Sequence, residues 1–344
     1  MDLDELERGL AASPGVLRDP QLTAFVRAVL CRTVGQDRCA AVRVYVIKDR
    51  SFNASMTPNG ILRIHTGLLA RLHSEAELAV ILGHEFAHFE QRHTLKKFIA
   101  RRKMTDWLSW LWLAGAATAV NTSSSRNDLQ IGFYAFSRAE EAQADELGGT
   151  FVIASSYRLC ASQVWRRAIE EDDALRRERG LKIVRRLTPA LTDDHPTNEQ
   201  RLEYFAEAEK KVGGRGEEGQ DHYLAETDRV LEILFQPLVK GNDFAVADYV
   251  IRSRGDALGW TSALLTLRGE LYRQRGNPRD LVTARDIFQQ AIAAGRPAPE
   301  AWRGLGFTQF RLGDSSAGRQ ALMEYLKRAP DAADAGTVKL LVGE

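Results

Sequence analysis

Cysteine is scarce in this chain, with three in 344 residues: Cys31, Cys39 and Cys160. Three cannot build a disulfide scaffold, and none lies beside the histidine motif described below, which argues against a cysteine-rich structural zinc site. Long apolar runs are missing too. The longest, "WLSWLWLAGAATAV" at 107–120, has 14 residues, where a membrane-spanning helix needs about 20. Neither sign of charge dominates, since 47 Lys and Arg stand against 46 Asp and Glu for a formal charge of +1. That balance excludes a large nucleic-acid footprint, so no nucleic-acid partner is expected. The opening "MDLDELERGL" is acidic and lacks the apolar centre of a signal peptide. It fits a cytoplasmic protein, or equally a mature chain whose leader has been removed.

What is present supports real cores: 44% of the residues are hydrophobic, over a length sufficient for two domains. The region from 20 to about 208 reads as mixed α and β. An amphipathic helix at about 20–34 leads to an alternating strand at 42–47. Cys31 ends that helix and Cys39 precedes the strand, so the turn between them could join the sulfurs and imply an oxidising compartment. The alternative is a pair of small buried thiols. In "SFNASMTPNGILRIHTG", Pro58-Asn59-Gly60 marks a turn between two extended segments. Ser74-Glu75-Ala76-Glu77 is a capping box that starts a helix, with Ser74 accepting from first-turn amides and Glu77 reaching back.

That helix carries "ILGHEFAHFEQRH", the order His-Glu-x-x-His. His84 and His88, four apart, project from one helical face as two ligands of one metal require. Glu85 lies roughly 100° around the helix, close enough to serve as a general base. A catalytic zinc needs a third protein ligand. Gln91 and Thr94 stand where a metzincin would place glycine and histidine, which excludes that class. His93 points away from the face of the pair, as a structural residue or a support for a ligand. "FSRAEEAQADELGG", at 136–149, offers carboxylates. Glu141 and Asp145 share a helical face, so one can bind the metal while the other accepts the ring N–H of a ligand histidine. Glu140 is a rival ligand on a different face, and a solvated acidic helix is the plain alternative.

Taken in order, "FNASMTPNG" with "TGLL", "HEFAH" with "RH", "SRAEEAQAD" and "DHPTNEQR" span about 150 residues. In these motifs the chain resembles the zinc metallopeptidase family that includes the CaaX prenyl protease, HtpX and BepA. The resemblance implies a gluzincin centre with one zinc ion held by His84, His88 and Glu141, and Glu85 as general base. It implies that Asn53-Ala54 forms an edge strand that pairs with extended substrate. By the same match His195 approaches the zinc from a loop and Arg201 supports the site. His195 then either stabilises the oxyanion or fills the open zinc position and restrains the enzyme.

"KVGGRGEEGQD", at 211–221, has no apolar periodicity and reads as a linker. Beyond it the sequence is helical and repeats. Gly269 to Gly306 and Gly276 to Gly313 are offset by 37 residues, and Phe288 to Leu322 by 34. Trp302, Leu305, Gly306 and Pro330 have tetratricopeptide spacing, and a more degenerate helix pair is expected at about 223–255. The expected fold is α+β: a mainly helical metalloprotease domain with a small sheet at 1–210, the linker at 211–221, and an all-α tetratricopeptide-like domain at 222–344. A soluble catalytic domain before such repeats is most similar to the periplasmic BepA-type branch. The implied function is hydrolysis of unfolded or misassembled cell-envelope proteins, with protein or peptide substrates and assembly machinery recruited by the repeats. The alternative is a repeat-mediated chaperone or assembly factor with latent proteolysis. The basic and apolar stretch 96–120 is a candidate for peripheral membrane contact, or else a buried helical hairpin.

Overall fold

A computed structural model of the chain describes residues 3–93, 95–96, 99, 123–185, 197–241 and 243–343. The apolar stretch 107–120, most of the basic run before it, and His195 lie outside the described residues. Among those described, no helix is long and apolar enough to cross a membrane. The chain divides into two compact units, one formed by 1–170 with 182–226, the other by 171–181 with 227–344.

In the first unit α1 (Leu3–Ala12) and β1 (Val16–Leu17) precede α2 (Pro20–Val34). Asp19 caps α2 by accepting from the Leu22 amide at 2.8 Å, and Pro20 fills the first turn, where its missing N–H costs nothing. After α3 (Gln36–Cys39) come β2 (Arg43–Ile47), β3 (Ala54–Met56) and β4 (Ile61–His65). The sheet order is β1-β2-β4-β3, with β2 and β4 parallel and the outer pairs antiparallel. The expected hairpin is therefore β3–β4, turning at Gly60 with φ +84°, and it leaves β3 on the open edge. Cys31 and Cys39 are disulfide-bonded, their Cα atoms 5.2 Å apart, so the helix-turn-strand does bring the sulfurs together. Cys160 is free and buried.

α4 (Thr66–Arg71) follows β4, and α5 (Glu75–Glu90) is the central helix of the unit. Every residue of α5 from Glu75 to Gly83 is buried, as expected of a helix apolar on all sides. Ser74 caps it as anticipated, accepting from the Glu77 amide at 3.2 Å. The return arm differs from the expected box. Glu77 accepts from the His73 amide at 2.7 Å, one residue earlier, because Arg167 draws the same carboxylate inward. α6 (Ser123–Ala154), α7 (Ala161–Glu178) and α8 (Asn198–Val212) complete the frame. α5 packs on α2, α6 and β3.

Residues 211–221, read from composition as a linker, are bonded into this unit. The Glu217 amide donates to Ser156 O at 2.8 Å, the Arg158 amide to Glu217 O at 2.9 Å, and the Ala76 amide to Glu218 O at 3.0 Å. Backbone pairing with the start of α5 overrides a composition that looks like a flexible tether. One division between units falls after Glu226, within α9 (Gln220–Asp228), and another after Glu170, so the end of α7 from Glu171 on belongs to the second unit.

The second unit is helical: α10 (Leu231–Val239), α11 (Phe244–Leu258), α12 (Ser262–Arg275), α13 (Pro278–Ala293), α14 (Pro299–Arg311), α15 (Ser315–Arg328) and α16 (Ala335–Val342). The sequence offsets reappear as one repeated contact. A Cβ on Gly269 would stand 2.7 Å from the Phe288 ring, and one on Gly306 would stand 2.6 Å from Leu322. Gly276 and Gly313 end α12 and α14 with φ +70° and +88°, the left-handed turn that glycine adopts without strain. Helix pairs α12–α13 and α14–α15 thus close in the same way.

Candidate metal centre

α5 and α6 bring the sequence-predicted donors together. Gly83 and Gly148 face each other where the two helices cross, and a Cβ on Gly148 would stand 2.8 Å from the backbone nitrogen of His84. Only this close approach lets a carboxylate of α6 reach the histidines of α5. Neither glycine was singled out as functional from the sequence. The signal available was a small residue beside the motif and another within "DELGG".

His84, His88 and Glu141 each offer a ligand atom, all within 4.8 Å of one another. The two Nε2 atoms are 3.2 Å apart. His84 Nε2 is 3.5 Å from Glu141 Oε2, and His88 Nε2 is 3.2 Å from Glu141 Oε1. Each histidine is braced through its other ring nitrogen. His84 Nδ1 lies 2.8 Å from Asp145 Oδ1, and His88 Nδ1 lies 3.1 Å from His93 Nδ1. These supports turn both Nε2 atoms toward the carboxylate. On their shared helical face, Glu141 stands with the two Nε2 atoms and Asp145 stands behind His84. Glu140, the rival, is buried but is not one of the three converging donors.

Arg201 locks the acidic side of the centre. From α8 its Nε and Nη2 donate to the two oxygens of Asp145, each at 3.0 Å, and Nη2 also reaches Glu141 Oε2 at 3.3 Å. Its guanidinium stacks on Trp165 of α7 with Cζ 4.5 Å from the ring centroid. That partner was not identified from the sequence, where a tryptophan among charged residues of an amphipathic helix carries no distinguishing spacing. Burial and the nearby Arg201 charge disfavour a proton on His84. The Asp145 and Glu141 carboxylates outweigh them and raise its pKa to about 9. Burial alone would push the Asp145 carboxyl up, but Arg201 and His84 hold it below the usual carboxylate range.

The donors line a cavity of about 470 Å³ that also contains Glu85, Asn53, Ala54 and Arg201. Its apolar wall includes Phe52, Leu68, Val80 and Trp165. Glu85 is partly exposed there, one residue from His84 on α5. Ala54 opens β3 at the edge of the sheet, and Asn53 directly precedes it. His195 precedes α8 outside the described residues, so nothing places it at the cavity.

The sequence profile of peptidase family M48 matches residues 17–209, which span the sheet, the donors and Arg201. The "Beta-barrel assembly-enhancing protease" of Yersinia pestis is 25% identical over 152 residues, covering 41% of this chain and 31% of that protein. Its namesake from Escherichia coli K12 is 25% identical over 157 residues, covering 42% and 32%. The "Mitochondrial metalloendopeptidase OMA1" of Schizosaccharomyces pombe is 27% identical over 197 residues, 55% of either chain. The aligned stretch thus spans about a third of the bacterial relatives and about half of the yeast one.

Proposed function

Because the chain belongs to peptidase family M48, we propose that it is a zinc-dependent metalloendopeptidase centred on His84, His88 and Glu141, with Glu85 as its general base. The observation that carries this reading is the convergence of the three donors in one cavity with Glu85 and an open sheet edge. Two imidazoles and a carboxylate, each held by a neighbour, suit a zinc-type ion and leave a position for substrate. When bound, zinc would supply Lewis acidity toward water and the scissile carbonyl. Glu85 accepts a proton from the attacking water and returns it to the leaving amine. Asp145 and His93 keep the ring nitrogens of His84 and His88 aimed at the centre, and Arg201 holds both carboxylates in place.

The edge strand orients substrate. The His65 amide donates to Asn53 O at 3.1 Å and the Thr57 amide to Ile61 O at 2.9 Å. Backbone groups alternate along an antiparallel strand, so those of Asn53 and Thr57 face β4 and those of Ala54 turn to the open side. An extended peptide adds there by main-chain hydrogen bonds.

The substrates proposed are unfolded or misassembled proteins of the cell envelope, in a periplasmic setting. The Cys31–Cys39 disulfide suits such an oxidising compartment, and two relatives are named for β-barrel assembly. The repeated helix pairs, of tetratricopeptide type, would recruit substrate or assembly machinery. His195 is assigned the part of restraining the site. His195→Ala is expected to keep the metal and raise basal proteolysis, and a fall by roughly two to three orders of magnitude would instead assign it to the oxyanion. A repeat-mediated assembly factor with latent proteolysis is the second reading, favoured by the regular packing of the second unit. Metal analysis with a casein digestion assay separates the two. Glu85→Gln should retain the metal and lose hydrolysis, and undiminished cleavage by that variant would sink the catalytic assignment.

A further inference from the structure

Arg63 lines the same cavity as Glu85 and the three donors, yet the chemistry so far gives it no part. It stands at the centre of β4, opposite Ser55 of the edge strand, and is exposed. Directly opposed residues of an antiparallel pair project from the same face. Here Arg63 Nε donates to Ser55 Oγ at 3.1 Å. That bond ties the Arg63 side chain to the edge strand. Among the described residues no carboxylate pairs with Arg63, whereas the other guanidinium of the cavity, Arg201, is committed to Asp145 and Glu141. The result is an unneutralised cation, held by one hydrogen bond, at the rim where an extended chain would add to β3.

We propose that Arg63 forms a specificity subsite for an acidic side chain of the substrate. The inference rests on the peptidase reading of this cavity and specifies its substrate class: extended peptides with an aspartate or glutamate at one fixed position from the scissile bond. A strand added to β3 lies about 4.8 Å from it. Its residue abreast of Ser55 presents its side chain on the Arg63 face. A carboxylate there meets the guanidinium in the planar, two-bond geometry that arginine favours. The site is solvent-facing, so the preference is modest, about three- to tenfold in kcat/KM. A lysine at that position is disfavoured by like charge.

The test uses the metal-loaded full chain and an internally quenched peptide series in which one Glu, Gln or Lys is moved along a fixed sequence. At one position wild type should cleave the Glu peptide about three- to tenfold better than the Gln peptide, and salt should reduce the ratio. Arg63→Gln should abolish the preference, and Arg63→Glu should reverse it in favour of Lys at the same position. Each readout is a ratio between peptides on one protein, so a general loss of activity in a variant cancels. The same peptides are also titrated onto Glu85→Gln, alone and combined with Arg63→Glu, by fluorescence anisotropy. Arg63-dependent binding of the Glu peptide without any hydrolysis by wild type would sustain the subsite while overturning the peptidase reading. No Glu-over-Gln preference at any position in cleavage and binding, or a preference that survives Arg63→Glu, overturns the proposal.

Discussion

The two units of this chain bury different kinds of side chain. The first encloses Glu75, Glu77, His88, His93, Glu141, Asp145 and Arg201, each of which needs a partner before its burial is tolerable. The second closes largely on aliphatic and aromatic groups against glycine, as at Gly269–Phe288 and Gly306–Leu322. Its charged exceptions include Arg254, buried against Thr227 and Asp228, and Asp280, buried against Arg275. An apolar core tolerates change in proportion to volume. A buried ionic network does not, because removing one member leaves the others charged and unpaired. Binding chemistry therefore sits in the unit that is costlier to assemble, and a regular stacking surface in the one that is easier to repeat.

The largest effect should come from the donors themselves. Glu141→Gln or His88→Ala is expected to lose stoichiometric zinc after mild chelation. Asp145→Asn, which keeps all three donors but weakens the support of His84 and the pairing with Arg201, should lower affinity by about ten- to a hundredfold. Equal losses from ligand and brace, measured by metal competition, would erase that distinction.

Glycine substitutions separate the units directly. Gly148→Val forces side-chain atoms against the backbone of His84 and should cost about 3 kcal/mol or more together with the metal. Gly304→Val, whose Cβ would stand 2.3 Å from Phe288, should destabilise its own unit by a similar amount and leave metal binding intact. Denaturant melts with parallel zinc titration report both.

The Cys31–Cys39 disulfide closes a short loop, so reducing it should lower the stability of the first unit by about 2.5 kcal/mol. The second unit should not respond. A melt unchanged by reductant, or free thiols in unreduced protein, would remove the link to an oxidising compartment.

The most graded effect is with pH, and it is the smallest when taken per unit, about 1.4 kcal/mol. In the metal-free protein the Asp145 and Glu141 carboxylates keep His84 protonated up to about pH 9, and metal uptake must expel that proton. Apparent affinity should therefore rise with pH up to about 9 and fall by about tenfold for each unit below it. Asp145→Asn should flatten the slope near neutrality, and isothermal titration in buffers of different ionisation heat counts the proton.

Much of this was legible before any fold was known, for local reasons. The capping serine, the Pro-Asn-Gly turn and the His-Glu-x-x-His spacing act over one or two helical turns, where backbone geometry fixes which side chains share a face. The 37- and 34-residue offsets survived because every helix pair faces the same packing constraint. Composition misled at 211–221, where glycine and charge suggest a tether. Those glycines supply the positive φ angles of a strap bonded to the start of α5.

The sequence by itself determined which residue types could hold a metal and that two of them share a helical face, since a helix has a fixed period. Helical spacing left Glu140 open beside Glu141, and the tertiary structure brings Glu141 together with the histidines. It also placed Asp145 and His93 behind them, Arg201 against Trp165, and Arg63 at the open edge. Those choices depend on the angle and closeness at which α5 meets α6 and α8. Two glycines permit that approach, but no local pattern states where the second helix will lie.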